Sequence, residues 1–392
     1  MVVKVNAGAV VLNFAAMGVT SHGFYMSVIS GDRAGVLAAA LRGALWAASV
    51  LYGWVIAARN VSYDALRWRA RRVGVPVISI GNITTGGTGK TPTAAHIAHL
   101  LTARGRRVAI LLRGYKGGEI QFDDDQRDEA AARWRAHSDE AMVLRRQCPR
   151  AEVILNPDRL AGAKEAIAKR CDTIVLDDGF QHRRVSRDLN IVLVDATRPF
   201  GFGHLLPRGL LREPLTSLRR ADLIVVTRSD EVNESARSEL VKRISGISGD
   251  KPVIASCHRA AGFSDLKGGG VSAADASGMQ AVIFAGIGNF AGFRRLVERL
   301  GVHILAAYEF PDHHAYTPDE ISGVADAAAS VEANVILTTE KDAVKLVGRW
   351  GDDACRLMVV CLEVEFVGEG GRILSDAVEA AIARPHEESG SK

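Results

Sequence analysis

Residues 75–92 read VPVISIGNITTGGTGKTP, and this stretch decides how the rest of the chain is interpreted. An apolar, strand-like run leads into a glycine-rich turn, a Lys-Thr pair and a helical run from Thr93 to Arg104. A strand, glycine-rich turn and helix in this order form a phosphate-binding loop, because backbone N–H groups and the helix N-terminus together surround phosphate oxygens. The residues that we expect to bind the nucleotide phosphates are Thr84, Thr85, Gly86, Gly87, Thr88, Gly89, Lys90 and Thr91.

The two residues that follow the last glycine of this loop have separate predicted tasks. The Lys90 ammonium would reach the β- and γ-phosphates, and the Thr91 hydroxyl would be a ligand of Mg²⁺. The loop departs from the pattern G-x-x-x-x-G-K-[ST] at Thr84, where that pattern has glycine. Gly86 and Gly87 can still form the tight turn, although an ordinary glycine-rich turn between a strand and a helix stays as the alternative.

Two other classes of protein remain open at this point. The loop is similar to the KGGTGKT signature of partitioning ATPases, but Thr85 stands where those proteins have their signature lysine. A membrane-associated partitioning-type P-loop ATPase is therefore one alternative. A non-catalytic, nucleotide-gated membrane adaptor is the other.

Beyond residue 72, short runs rich in Val, Ile and Leu alternate with helical stretches. The runs lack strict alternation of apolar and polar residues, which is typical of parallel strands covered on both faces. We predict an α/β fold: a P-loop NTPase-like, mostly parallel sheet with helices on both faces, plus a second, smaller α/β domain. The predicted parts are an N-terminal extension with a membrane-associating helix over 1–72, a P-loop core over 73–228, and the smaller domain with a C-terminal helix over 229–392.

Charge is concentrated at one end of the chain. Residues 1–80 contain eight basic and two acidic side chains, a net charge of +6, whereas the whole chain carries only +4. A basic charge confined to one end argues against a nucleic-acid surface over the whole body and favours a local anionic partner. Trp46, Trp54 and Trp68, three of the five tryptophans, lie in the same segment.

The uncharged run from Gly43 to Ala58 lies between Arg42 and Arg59. Its sixteen residues are fewer than the roughly 20 that a transmembrane helix needs. We therefore predict an interfacial helix with its aromatic residues at headgroup depth and the arginines up to Arg72 facing anionic lipid. A true membrane span and a buried core helix are the alternatives.

The five cysteines include no C-x-x-C pair, so neither a disulfide framework nor a structural metal site is expected, and a reducing, cytosolic environment fits best.

Acidic residues and histidines mark three further candidate positions. Asp177 and Asp178 follow the apolar run Thr173–Leu176, an arrangement expected of a Walker B element that orients Mg²⁺. Because consecutive strand residues point to opposite faces, the two carboxylates are expected to have different roles. The stretch 138–140 is either a substrate-facing loop or a solvated helix cap. In the stretch 310–314, an Asp-His pair that assists proton transfer is preferred over a metal site.

Taken in this order, these elements resemble the tetraacyldisaccharide 4′-kinases of lipid A biosynthesis. The resemblance covers roughly residues 45 to 345. The stretches that carry it are 75–82, 86–92, Arg113–Tyr115, Asp139–Glu140, Asp158–Arg159, Asp177–His182, Arg187–Asp188, Leu205–Pro207, Leu211–Pro214, Phe310–His314 and Thr339–Asp342.

The resemblance implies an ATP- and Mg²⁺-dependent kinase that phosphorylates the 4′-hydroxyl of a disaccharide 1-phosphate bearing four acyl chains. It also implies a peripheral, monotopic protein on the cytoplasmic face of the inner membrane. From this resemblance together with the basic N-terminal segment, we expect an anionic membrane surface as a partner, no nucleic acid and a monomeric state. Asp139 would be the base, with His313 or His314 as its partner. Glu140, Asp177 and Asp178 would serve the metal. The phosphate and sugar sites would be lined by Tyr115, Arg159, Gln181, His182 and Arg212.

Overall fold

The computed structural model describes residues 2–6, 9–13, 21–65, 70–113, 138–266, 269–351 and 355–385. The strands are β1 Val2–Asn6, β2 Ala9–Asn13, β3 Val77–Asn82, β4 Val108–Leu112, β5 Glu152–Leu155, β6 Thr173–Leu176, β7 Leu189–Asp195, β8 Leu223–Thr227, β9 Val253–Ser264, β10 Gly270–Ser272, β11 Gln280–Ala285, β12 His303–Glu309, β13 Val335–Thr339 and β14 Leu357–Phe366. The helices are α1 Ser21–Ser30, α2 Val36–Ala65, α3 Lys90–Ala103, α4 Asp139–Gln147, α5 Arg159–Ala168, α6 Glu234–Ser248, α7 Phe290–Arg299, α8 Pro318–Ser330, α9 Glu340–Leu346 and α10 Gly370–Ile382.

The larger of two compact units, here called the P-loop unit, comprises Tyr25–His258 and Val364–Lys392. Its sheet is parallel, in the order β9-β8-β7-β3-β6-β4-β5. Side chains alternate between the faces: Ile78 and Ile80 pack with α3, α4 and α10, whereas Val77 packs with α5 on the other face. The predicted parallel α/β sheet with helices on both faces is confirmed.

The central strand of the sheet is β3, which lies between β6 and β7. The residues that follow β3 and β6 therefore meet at one edge of the sheet, because the carboxyl ends of parallel strands all point the same way. This edge brings the glycine-rich loop next to the acidic pair that follows β6.

The C-terminal helix α10 belongs to the P-loop unit. The prediction had placed this helix in the smaller domain over 229–392, so that boundary is wrong. Its apolar stripe, Leu374, Val378 and Ala381, is buried in the same core as β3 and α3. The Arg104 guanidinium at the end of α3 also donates to Ser375 and Glu379, each at 2.7 Å. Residues 229–258 lie in this unit too, since β9 pairs with β8.

The second unit comprises Met1–Phe24 and Arg259–Glu363. In it β12, β11, β13 and β14 form a parallel sheet, β2 pairs with β12 in parallel, and β1 pairs with β2 in antiparallel fashion. The later part of β9 and β10 form an antiparallel hairpin in which Ser264 pairs with Gly270. The predicted second, smaller α/β fold is present.

The N-terminal helix α2 is longer than the uncharged run that predicted it. At 30 residues it measures about 45 Å at the usual rise per residue. It is the one helix in the described part of the chain that is long and apolar enough to cross a membrane by length and composition. Its exposed large apolar side chains are Val36, Leu37, Trp46, Leu51, Trp54, Val55 and Val61.

We expect the substitution Leu374→Ala to lower the free energy of unfolding by about 2–4 kcal/mol, because it opens a cavity in the core shared by α10 and β3. Chemical denaturation of the full chain measures this change. The control is Asp376→Ala on the exposed face of α10, which should change the stability by less than about 0.5 kcal/mol. A Leu374→Ala protein as stable as the control would separate α10 from that core.

Candidate active site

The glycine-rich loop joins the end of β3 to the first turn of α3. Gly86 and Gly89 have φ angles of 113° and 85°, values that glycine adopts readily and other residues rarely. A Cβ atom on Gly89 would also lie 2.9 Å from Nε2 of His258. Glycine at position 89 therefore lets the chain turn directly into α3, whose first N–H groups stay available for an anion.

Hydrogen bonds from the ends of neighbouring strands fix the shape of the loop. The Asn82 side-chain amide donates to the Thr88 hydroxyl at 2.9 Å, and the Thr227 hydroxyl donates to the Thr88 carbonyl at 3.1 Å. The Arg228 guanidinium donates to the Gly87 carbonyl at 2.6 Å and forms an ion pair with Asp195. The ends of β3, β7 and β8 thus hold the loop before any ligand arrives.

The first part of the loop pairs with residues 205–213, which we call the Arg212 segment. Thr84 forms an antiparallel bridge with Leu211, and the Thr85 N–H donates to the Leu210 carbonyl at 2.8 Å. The Arg212 N–H donates to the Ile83 carbonyl at 2.7 Å. Thr84 thus lies in a paired, extended stretch where glycine is not required, which gives a physical reason for the departure from the common pattern.

Asp178 is the meeting point of two cations. Its carboxylate lies 3.6 Å from Nζ of Lys90 and accepts hydrogen bonds from Arg212 at 3.0 and 2.9 Å. Burial raises the pKa of Asp178, but Lys90 and Arg212 more than offset this effect and hold that pKa below its usual value. Asp178 also has a φ of 51°, a strained conformation for a residue with a side chain.

Asp177 has a different environment although it is the next residue. Its side chain is 3% exposed, and one of its oxygens accepts the Asp178 N–H at 2.9 Å. Burial, followed by the nearby Glu140 carboxylate, raises the pKa of Asp177. The two neighbouring aspartates thus have opposite pKa shifts.

Helix α4 brings the acidic pair Asp139 and Glu140 to this edge of the sheet. Asp139 is the first residue of the helix, Ser138 is its N-cap, and both Asp139 and Glu140 are half-buried. Carboxylates in the first turn are favoured there by the helix dipole. Ser138 is the N-cap residue by position, but its side chain makes no capping hydrogen bond.

Arg159 lies behind Asp177. Its side chain is 2% exposed, and its guanidinium donates to the backbone carbonyls of Asn156 and Asp177 at 2.9 and 3.1 Å. Burial lowers the pKa of Arg159 to about 10, so the group stays charged at neutral pH. In this arrangement Arg159 supports the end of β6 from within the protein.

The segment after Asp178 packs tightly against β3. A Cβ atom on Gly81 would lie 2.5 Å from Cβ of Phe180, so only glycine fits there. The Gln181 side chain donates to the Asn82 carbonyl at 2.7 Å. Nε2 of His182 is buried with no hydrogen-bond partner among the described residues, and burial together with Arg159 lowers the pKa of His182 to about 4. The His182 ring is therefore neutral at pH 7.

In the second unit, the adjacent histidines have unlike environments. The His314 ring stacks on Phe310 with centroids 4.9 Å apart, and its Nε2 lies 2.9 Å from a Glu320 carboxylate oxygen. His313 has a left-handed φ of 61°, and its side chain is 55% exposed. The backbone turn thus packs one ring against Phe310 and leaves the other accessible.

Asp342 anchors the turn that carries these histidines. It is fully buried and accepts hydrogen bonds from the Tyr316 hydroxyl at 2.9 Å, the Thr339 hydroxyl at 2.6 Å and the Gly286 N–H at 3.1 Å. The Gly286 carbonyl in turn accepts the His313 N–H at 3.2 Å. Asp342 therefore links β11, α9 and the histidine turn.

The sequence model of the tetraacyldisaccharide-1-P 4′-kinase family matches residues 41–382 of this chain. The chain belongs to this family. It is 38% identical to the tetraacyldisaccharide 4′-kinase of Anaeromyxobacter sp. (strain K), over 90% of this chain and 94% of that relative. It is 39% identical to the enzyme of the same name from Geobacter sulfurreducens, over 83% of this chain and 90% of that relative.

A solved structure of a family member has the same fold. The crystal structure of LpxK from Aquifex aeolicus in complex with ATP superposes on this chain with a TM-score of 0.66 and 28% sequence identity. The superposition covers 87% of this chain and 99% of the Aquifex aeolicus chain. Membership of this kinase family confirms the resemblance drawn from the sequence and favours it over the partitioning ATPase and the adaptor.

Within this tetraacyldisaccharide 4′-kinase family fold, the structure gathers one group of the predicted residues at one edge of the P-loop unit. This group comprises Lys90, Glu140, Asp177, Asp178, Arg159 and Arg212, which interact electrostatically. Tyr115 lies outside the described residues. His313 and His314 belong to the second unit.

Several supporting residues received no role from the sequence. Arg228 and Asp342 are the main examples, and both stood in short polar motifs that directly follow apolar strands, at 227–230 and 339–342. Their position directly after a predicted strand was the signal by which the sequence could have marked them as candidate residues. Their partners, the Gly87 carbonyl and the Tyr316 hydroxyl, are set by tertiary contacts and leave no trace in local sequence.

We expect Asp342→Ala to destabilise the protein by about 3 kcal/mol or more, because it leaves the Tyr316 hydroxyl and the Gly286 N–H buried without an acceptor. Denaturant unfolding measures this loss. Asp326→Ala, which removes an exposed carboxylate from α8, is the control and should be nearly neutral. Equal stability of the two variants would contradict the anchoring role of Asp342.

Proposed function

We propose that this chain transfers the γ-phosphoryl group of ATP to the 4′-hydroxyl of tetraacyldisaccharide 1-phosphate, in lipid A biosynthesis. The observation that carries the proposal is the contact of Asp178 with Lys90 and Arg212, at the end of a braced glycine-rich loop in a member of this kinase family. Phosphoryl transfer depends mainly on positioning and on stabilising the charge of the transferred group. Such a cluster supplies both.

The phosphate loop and two cations would stabilise the transferred group. Backbone N–H groups of residues 84–91 would hold the β- and γ-phosphates, as in other P-loops. Lys90 and Arg212 would neutralise charge on the γ-phosphoryl oxygens while Asp178 keeps both cations in place. Charge stabilisation of this kind is usually the largest contribution to catalysis.

We infer that Mg²⁺ is held by Thr91, Glu140, Asp177 and Asp178. Among the described residues no three His, Cys, Asp or Glu side chains form a complete metal site by themselves. Mg²⁺ in kinases ordinarily uses one or two carboxylates together with nucleotide phosphates and water, so this set suits it. The raised pKa of Asp177 beside Glu140 marks a place where a dication would relieve repulsion between carboxylates. When bound, the ion would supply positive charge to the β- and γ-phosphates.

Asp139 is the proposed base for the acceptor hydroxyl. It opens α4 next to Glu140 and is accessible, so it can meet a ligand. Of the two histidines we assign the partner role to His313. Its ring is exposed, whereas His314 is bonded to Glu320 and packed on Phe310.

The predicted substrate residues divide into three groups. Gln181, His182 and Arg212 are half-buried at the edge of the sheet where the acceptor would lie, and the unpaired Nε2 of His182 could bond a phosphate or sugar oxygen. Arg159 would act from behind by holding the Asp177 carbonyl. Tyr115 stays a proposed contact on the basis of the family resemblance alone.

We also propose that α2 docks the protein, as a monotopic monomer, on the cytoplasmic face of the inner membrane. Trp46, Leu51, Trp54 and Val55 are 57–72% exposed on one side of the helix, where interfacial contact with lipid would cover them. The other side carries Tyr52 and Asn60, which bond to the protein. A helix with one side held by protein suits the membrane surface better than a free span.

The activity is tested by incubating the chain with γ-labelled ATP and tetraacyldisaccharide 1-phosphate in vesicles. We expect label in the lipid, and we expect Asp139→Asn to lower kcat by about 100-fold or more because a general base is lost. Arg146→Gln, late in the same helix, serves as the control. Release of label to water without lipid phosphorylation would instead indicate an ATPase, and no turnover at all an adaptor.

The two histidines should separate in the same assay. We expect His313→Gln to lower kcat by about 100-fold with little change in stability, because its ring is exposed. His314→Gln should lower the free energy of unfolding by about 1 kcal/mol and kcat far less, because it disturbs packing and the bond to Glu320. The reverse pattern would assign the partner role to His314.

A further inference from the structure

The inner side of α2 is bonded directly to the Arg212 segment. The Tyr52 hydroxyl donates to the Arg212 carbonyl at 2.9 Å, and the Asn60 amide donates to the Glu213 carboxylate at 3.1 Å. Gly53 lies so close to Leu205 that a Cβ atom would be 3.0 Å from its side chain. Both helix-to-segment hydrogen bonds therefore end on the two residues around the 212–213 peptide.

Arg212 is held on its other side by the phosphate loop. Its N–H donates to the Ile83 carbonyl at 2.7 Å, while its carbonyl accepts the Tyr52 hydroxyl. Its guanidinium reaches Asp178 at 2.9 Å. The position of this guanidinium is thus fixed by a backbone that lies between α2 and the loop.

Glu213 gives this connection its rigidity. Its side chain is fully buried, and one carboxylate oxygen accepts hydrogen bonds from Asn60, from Ser217 at 2.9 Å and from Arg220 at 2.7 Å. A buried carboxylate must keep its partners, because an unpaired charge away from water is costly. Asn60 thus ties the helix to a point in the core that cannot easily shift.

A second connection runs to the other side of the site. The Arg59 guanidinium bonds to the Gln181 carbonyl, and the Arg183 guanidinium forms an ion pair with Asp64 near the end of α2. Gln181 and Arg183 belong to the segment that follows Asp178. The same helix therefore contacts both chain segments that place the Asp178–Arg212 pair.

We propose that Tyr52 and Asn60 are positioning residues for phosphoryl transfer, through which the exposed helix α2 sets the placement of Arg212 on Asp178. The helix has two faces with separate tasks: the outer face binds lipid, and the inner face holds the catalytic segment. This inference rests on the proposed role of Asp178 and Arg212 in holding the γ-phosphoryl group. It adds that loss of the Tyr52 hydroxyl or the Asn60 amide lowers the rate of phosphoryl transfer and not only the binding of lipid.

The chain offers a matched control on the same helix. Tyr63 packs its ring near the Arg59 and Arg183 guanidinium groups, and its hydroxyl makes no hydrogen bond to any described residue. Tyr63→Phe and Tyr52→Phe therefore remove the same atom, but only the second leaves the Arg212 carbonyl without its donor. Tyr52→Phe keeps the ring, so the variant is expected to fold.

The test compares Tyr52→Phe, Asn60→Ala, Tyr63→Phe, the double variant Trp46→Ala/Trp54→Ala and Asp178→Asn. The full chain is assayed for lipid phosphorylation on vesicles of anionic phospholipid, with kcat, both KM values, the vesicle-bound fraction and the thermal midpoint measured for each. We expect Tyr52→Phe and Asn60→Ala to lower kcat by about five-fold or more, with unchanged vesicle binding and lipid KM. Tyr63→Phe should match wild type. The tryptophan variant should lower vesicle binding and raise the lipid KM.

The outcomes distinguish failure of the positioning role of Tyr52 and Asn60 from failure of the proposed phosphate site. If Asp178→Asn loses activity but Tyr52→Phe and Asn60→Ala keep wild-type kcat, the positioning role is wrong and the phosphate site stands. If their defect is confined to vesicle binding or lipid KM, α2 is a surface anchor only. If Asp178→Asn keeps wild-type kcat, the proposed phosphate site fails, and the positioning role fails with it.

Discussion

The contact of Asp178 with Lys90 and Arg212 is the interaction on which the rest of the active site depends. It joins three segments that are distant in sequence: the start of α3, the end of β6 and the Arg212 segment. Asp178 adopts a left-handed backbone conformation there, and surrounding contacts must offset the free-energy cost of that conformation. The two cations and the tight packing of Phe180 on Gly81 supply them.

The same contact explains how two adjacent carboxylates serve one site differently. Asp178 stays ionised because two cations face it, whereas burial and Glu140 disfavour the charge on Asp177. Both residues lie in the turn that follows β6 and not in the strand, and the left-handed backbone at Asp178 gives the two side chains different surroundings. In the proposed kinase mechanism, Asp178 would hold the two cations in addition to serving the metal, whereas Asp177 would serve the metal alone.

Much of the fold could be predicted because its strands are apolar runs with clear ends. The apolar run Thr173–Leu176 coincides with β6, and the glycine-rich turn lies between a strand and a helix, as the sequence predicted. The position of α10 could not be predicted, since an amphipathic helix does not specify which sheet it covers. The bracing of the loop by Arg228 and the bonds from α2 to the Arg212 segment depend on tertiary contacts between distant residues.

We propose that Asp178 and Arg212 act as one unit in phosphoryl transfer. A double-mutant cycle with Asp178→Asn and Arg212→Gln, measured as kcat/KM for ATP during lipid phosphorylation, tests it most directly. If the two side chains act as one unit, the combined variant loses far less than the two single losses together, with a coupling of at least about 1 kcal/mol. Additive losses would mean that the two side chains act independently, and would contradict a joint role for them.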